Sequence, residues 1–443
     1  MNARRHFDRF IQRWRAGAAK LPDRRKGDNC FHEMADIATA PLAVFFTQSP
    51  SFLSFQQNME KDTGRNNARS FFQIDRIPSD NHIRQTLDPI EPERLFSFFD
   101  DLHQGFAEAG LLEAMRAVGG TRLIALDATW YFSSQSKNIH CPNCSCLRHA
   151  DGKVTHFHSA ITPVVVSPAH SEVVPLRPEF ITPQDGQAKQ DCEINAAKRW
   201  LAAHAGHYAT GNDTLLGDDL YAHQPFCRQV LLHNFHFLFT CLPSSHAHLQ
   251  GWVEALAPGR DLHTLKLRVK GRSNRWEHCQ YRWANQVPLT EGADPLKVNW
   301  CELTVTDGEG KVLSRHAYIT DWKITAENVA GLIAAGRARW KIENENNNTL
   351  KTKGYHLEHN FGHGKKHLAS LLLTMNLLAF GLHTLLEVTD ADYRLVRTAV
   401  GARRKFFQHL EALTAYCFFE NWEGLMDFMM RGQEVGPYAA QKS

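Results

Sequence analysis

Three acidic residues stand where metal chemistry would need them. Asp127 closes the apolar run LIAL, Asp218 closes TLLG, and Glu343 lies within RARWKIENENNNTLK. Hard divalent cations take oxygen ligands, so carboxylates from separate elements can converge on them. Two such ions, about 3.5–4 Å apart, stabilise the attacking and leaving oxygens of a displacement at phosphorus. Asp127, Asp218 and Glu343 are therefore expected to hold two Mg²⁺ or Mn²⁺ ions. Arg339 precedes Glu343 by one helical turn and can orient that carboxylate or touch a phosphate. Two choices stay open from spacing alone. Asp219 adjoins Asp218, and strand alternation turns their side chains to opposite faces. Glu345 lies about 200° around a helix from Glu343.

A second constellation is HCPNCSCLRH, where Cys141 and Cys144 form a Cys-x-x-Cys knuckle. Zinc wants four nitrogen or sulfur ligands. The other two would come from Cys146, His149, His156 or His158, with a reduced hairpin loop as the alternative. HLEHNFGHGKKH places His356, His359, His363 and His367 beside Lys365 and Lys366, and reads as a Gly-broken basic loop or a His-rich metal box. Residues 250–325 interleave Arg268, Arg275 and Arg282 with Trp276, Trp283 and Trp300, a mixture suited to stacking on an unpaired base or to sheet packing. Asp185, Asp191 and Glu193 read as caps and first-turn acids of a helix, with a place behind the metals as the alternative.

The elements that must position these groups follow from periodicity. Residues 1–120 form a helical N-terminal region, with amphipathic HFDRFIQRW and EPERLFSFFDDLHQGFAEAGLLEAMRAV as its clearest pieces. Ser79 and Asp80 are candidate N-caps. Its first 26 residues carry nine Lys and Arg, a candidate phosphate-binding arm or a solvated helix face. From residue 121 the pattern turns to strands: LIALDATWYFSS, VTHFHSAITPVVVS and SEVVPLRP, then a helix, TLLGDDLY, a second helix and HFLFTCL. This predicts a mixed sheet flanked by helices over 121–249, an antiparallel insertion over 250–325, the rest of the core with the Glu343 helix over 326–390, and a helical tail over 391–443.

LIALDATWYFSS, GDDLY and RWKIENENNNTLK resemble the three acidic motifs of the insertion-sequence four group of DDE transposases. Asp127 is followed by a small residue and Thr, Asp218 stands three residues before Tyr221, and Arg339 stands four before Glu343, as in that group. The resemblance covers about 120–385, and the 125-residue gap from Asp218 to Glu343 (343 − 218) has room for the group's β-strand insertion. Two positions depart from it: Gly336 replaces a Tyr and Leu350 a Lys. Lys351, Lys353 or Tyr355 would then supply the phosphate contacts, beside Tyr221 and Arg339. The resemblance implies an RNase H-like core, with Asp127 bridging two metals and Asp218 and Glu343 holding one each. It also implies terminal-repeat DNA and target DNA as partners, cleavage at element ends followed by strand transfer, and a dimer in the synaptic complex. A nuclease without strand transfer and a non-catalytic DNA-binding relic are the alternatives.

Composition sets only loose bounds. The 443 residues are 43% hydrophobic and 22% charged with a formal net charge of +3, so bulk charge neither demands nor excludes nucleic acid. Ten cysteines without an export signal predict reduced thiols in a cytoplasm, and the resemblance implies a bacterial one, with the protein nucleoid-associated when bound to DNA. The apolar run LASLLLTMNLLAFGLHTLLEV contains Asn376 and His383 and is expected to be a core helix, not a membrane span.

Overall fold

The run from Leu123 to Ser134 reads as one strand, and it keeps one register against residues 154–166, from Leu123 opposite Val166 to Ala128 opposite Ile161, with the ladder interrupted only at Leu126–Asp127, where the Thr162 amide still donates to the Asp127 carbonyl at 3.2 Å. A computed structural model describes every residue except 1–4, 28–29, 61–65, 137–138, 140, 184–188, 209–212, 272–274 and 440–443. In chain order the strands are β1 (Leu123–Ala125), β2 (Ala128–Ser134), β3 (Ser145–Arg148), β4 (Val154–Ile161), β5 (Val164–Val166), β6 (Val174–Pro175) and β7 (Glu179–Ile181). They continue with β8 (Thr214–Gly217), β9 (His236–Thr240), β10 (His263–Lys270), β11 (Trp276–Pro288), β12 (Lys297–Thr306) and β13 (Val312–Thr320).

Nine strands make one mixed sheet in the order β10-β11-β12-β13-β9-β8-β1-β5-β6. β1, β8 and β9 run parallel, while β5 lies antiparallel to β1 and β6 antiparallel to β5. The parallel strands are buried throughout apart from the ends of β9, as expected for strands covered on both faces. Helix Gln224–Leu232 packs on β9, and helix Val329–Arg337 packs on β9, β12 and β13. The architecture is thus mixed α/β, a mixed sheet flanked by helices.

Three points of organisation go beyond those expectations. The VTHFHSAITPVVVS run is interrupted opposite the same place, at Thr162–Pro163 between β4 and β5. β2, β3, β4 and β7 form a second, smaller sheet. Second, the antiparallel strands expected over 250–325 are present as β10–β13, and they join the central sheet where β13 pairs with β9. Third, the two ends of the chain share one helical layer instead of forming an N-terminal domain and a tail. Phe7 stacks on Trp422 at 5.3 Å, and Asn67 Nδ2 donates to the Thr414 carbonyl at 3.0 Å.

Helix Leu368–Thr389 runs through that layer. It is apolar and long enough to cross a membrane, yet 89% of its apolar window is buried inside the protein. Its His383 stacks on Phe46 at 4.1 Å and hydrogen-bonds the Phe46 carbonyl and the Tyr393 hydroxyl. Each fully buried Leu or Phe here stabilises the fold by roughly 1.5–3 kcal/mol. Three basic residues of the N-terminal arm pair within the same layer. Helix Arg5–Ala18 buries Phe7, Phe10, Ile11 and Trp14, while Arg9, Arg13 and Arg15 pair with Glu108, Asp101 and Asp36. Ser79 does cap helix Asp80–Leu87 by position, though without a side-chain bond.

Candidate functional site

Parallel pairing places two of the three acids side by side. Ala125 of β1 pairs with Leu216 of β8, and the Leu126 amide donates to the Leu216 carbonyl at 2.9 Å. Asp127 and Asp218 each follow two residues past that paired position, at the carboxyl ends where ligand groups collect in such sheets. Asp218 caps the short turn Asp219–Tyr221, its Oδ1 accepting from the Leu220 amide at 3.0 Å.

Glu343 arrives on a single π-helical turn, Ile342–Asn347, between helix Val329–Arg337 and helix Asn348–Thr352. Such turns are rare and often found at functional sites. Asn347, on the same turn, donates from Nδ2 to Asp127 Oδ2 at 3.0 Å, and Thr162 Oγ1 donates to Asn347 Oδ1 at 2.9 Å. Lys341 is buried, and its Nζ donates to the Ser167 carbonyl at 2.5 Å and to that of His170. These bonds fix the helical segment against the end of β5. Arg339 meets Glu343 as the spacing predicts, with Nη2 to Oε1 at 2.8 Å.

Asp219 and Glu345 have surroundings of their own. Asp219 turns away, accepting from the Leu242 amide at 2.6 Å and facing His246 Nε2 at 3.3 Å. Glu345 lines a separate cleft with Lys353, Glu387, Arg397 and Arg403. Glu343 acts electrostatically on both Asp127 and Asp218. Burial pushes the Asp127 carboxyl up to about 7, with Glu193 adding to the rise, Arg339 opposing it, and Glu343 and Asp218 contributing further. Burial also raises Asp218.

Glu193 is thus a fourth acid at the site, assigned above chiefly to a helix cap. It is buried on helix Lys189–Tyr208, and Tyr221 Oη donates to its Oε1 at 2.7 Å. Gly217 makes room for this contact, since a Cβ there would stand 2.7 Å from the Tyr221 ring. Of its companions, Asp185 and the side chain of Asp191 lie outside the described residues.

The expected DNA-contact residues divide. Tyr221 and Tyr355 are fully buried, so neither presents a surface to a strand; Tyr355 packs near Phe380 and accepts from Arg403 at 3.2 Å. Lys351 pairs with Glu358 at 3.0 Å, and Lys353 is exposed. Leu350 is buried. Trp283 and Trp300 are buried in the sheet, whereas Trp276 is exposed with the Arg268 guanidinium 4.3 Å from its ring centre. Trp340, beside Arg339, is exposed too, and only its neighbours in the motif could have drawn attention to it.

Among the described residues, the acids do not close into a tight ligand set, whereas Cys141, Cys144, His158 and His363 do. Their ligand atoms all lie within 4.8 Å of one another, and the cluster can hold a metal such as zinc. His158 was among the expected partners of the cysteine pair. His363, from the loop read as either basic or a His-rich metal box, was not. Cys146 instead meets His156 at 3.1 Å, and His149 meets Thr155 at 2.8 Å. No protein-family model and no curated protein matches this chain.

Proposed function

We propose that this chain is a DNA-cleaving and strand-transferring enzyme of the DDE transposase type, with an RNase H-like core. The strand order β6-β5-β1-β8-β9, three antiparallel strands followed by two parallel to the first, supports that core. One observation carries the functional reading. Asp127 and Asp218 stand at equal offsets past adjacent parallel strands, and the Glu343 turn is tied to Asp127 through Asn347.

The donors fit hard divalent cations: carboxylate oxygens from Asp127, Asp218 and Glu343, with Glu193 behind. Bound Mg²⁺ or Mn²⁺ would supply Lewis-acid charge to the phosphate oxygens. The protein's own groups do the rest. Asn347 orients the Asp127 carboxylate, Arg339 holds Glu343 in reserve at the rim, and exposed Trp340 and Arg337 offer stacking and charge to a strand. DNA is the partner in this reading, with two copies pairing two ends.

The test is cleavage of duplex DNA from the flanks of the coding region, with Mg²⁺ or Mn²⁺ and with chelator. Metal-dependent nicking that Asp127→Ala abolishes supports the reading; undiminished cutting by that variant refutes it. Pre-cut ends added with a target plasmid separate strand transfer from simple hydrolysis.

A further inference from the structure

The Cys–His cluster has the dimensions of a filled coordination shell. A tetrahedral zinc ion with bonds of about 2.3 Å to sulfur and about 2.0–2.1 Å to nitrogen spaces two sulfurs about 3.8 Å apart, sulfur and nitrogen about 3.6 Å, and two nitrogens about 3.3 Å. Five of the six edges are Cys141 Sγ to Cys144 Sγ 3.8 Å, Cys141 Sγ to His158 Nε2 3.5 Å, Cys144 Sγ to His158 Nε2 3.4 Å, Cys144 Sγ to His363 Nε2 3.2 Å, and His158 Nε2 to His363 Nε2 3.1 Å, and the sixth, Cys141 to His363, lies within 4.8 Å. The knuckle is closed by the Cys144 amide donating to the Cys141 carbonyl at 3.0 Å.

The imidazole chemistry agrees. His363 Nδ1 lies 2.8 Å from the Gly364 carbonyl, which can only accept, so Nδ1 carries the proton and Nε2 offers its lone pair inward. Two thiols and a second imidazole face that lone pair, an arrangement that a cation satisfies.

We propose that Cys141, Cys144, His158 and His363 bind one structural Zn²⁺ that clasps three parts of the chain together. The parts are the knuckle before β3, strand β4, and the loop 356–367 that follows the Glu343 segment. Four protein ligands leave no open position, which marks a structural site and not a catalytic one. The far side of the loop is held separately: Asp88 accepts from the amides of Lys365, Lys366 and Leu368, and Arg84 Nε donates to the Phe361 carbonyl at 2.9 Å. Zinc would therefore fasten the hairpin side of a loop already anchored to the helical layer. This inference stands independently of the DNA-cleavage reading.

The experiment is metal analysis of protein produced with ample zinc and freed of loose ions by gel filtration. About one zinc per chain is expected, retained by Cys146→Ser and lost from Cys144→Ser. A strong chelator should lower the thermal midpoint of the wild-type protein and expose loop 356–367 to protease. Should Cys144→Ser fail to fold, Co²⁺-substituted wild-type protein decides: tetrahedral visible bands with thiolate charge transfer support the site. Zinc well below one equivalent, equal loss from Cys146→Ser, or a cobalt spectrum without thiolate bands overturns it.

Discussion

Asn347 donates from Nδ2 to Asp127 Oδ2 at 3.0 Å, joining the π-helical turn that carries Glu343 to the end of β1. Groups that orient metal ligands typically contribute 10- to 100-fold to affinity or activity. Asn347→Ala is expected to lower metal-dependent cleavage by about that factor while leaving the circular-dichroism spectrum unchanged. Wild-type activity in this variant would remove the positioning role.

Glu343 and Glu345 have different surroundings, so their substitutions should behave differently. Glu343→Gln is expected to reduce cleavage by at least about 10²-fold, and Glu345→Gln by no more than a few-fold. Matched kinetics on one DNA substrate check this. Equal losses would place Glu345 in the site as well.

Tyr221 and Glu193 form a buried pair behind Asp127. Tyr221→Phe keeps the ring over Gly217 but deletes the hydroxyl, so a cost of about 1–3 kcal/mol in stability is expected from leaving Glu193 short of a donor. Urea denaturation measures it, and no loss would show the pair to be neutral.

Gly336 lies against Tyr318, and a Cβ there would stand 2.5 Å from the ring. On an open helix Gly→Ala stabilises by about 0.5–1 kcal/mol. Here Gly336→Ala should instead destabilise by about 1–3 kcal/mol. The sign of the change in denaturation free energy tests the packing.

Burial lowers His103 to about 4, with Arg122 adding to the effect, and lowers His204 to about 4, with Arg177 adding. Neutral in the fold, both take a proton more readily once unfolded. Their contribution to stability is full above about pH 6.5 and is lost as pH falls from there towards about 4. His204 packs against Phe96 and Trp200. His204→Phe should therefore flatten the acid limb of a stability–pH profile by up to about 3 kcal/mol. An unchanged limb would exclude His204 as a source.

What could be read from the chain follows how local each signal is. The acids at the ends of LIAL and TLLG were legible because apolar runs announce buried parallel strands and the polar residue after them marks the exit. The interruption of the ladder at Leu126–Asp127 was not, because the hydrophobic pattern runs on through it. His363 escaped notice as a partner of Cys141 and Cys144 because its loop reaches them through the fold and no local spacing implies it. The burial of Tyr221 depends on Gly217 leaving space for its ring, a detail of packing without a sequence period. Glu193 looked like a first-turn acid since its neighbours would serve any helix start.

The most direct measurement is anomalous scattering from crystals soaked in Mn²⁺. The proposal expects two manganese peaks about 3.5–4 Å apart, bridged by Asp127 and flanked by Asp218 and Glu343, with Glu343 drawn away from Arg339. Saturating Mn²⁺ that leaves those carboxylates unliganded and the Arg339–Glu343 pair in place would contradict it.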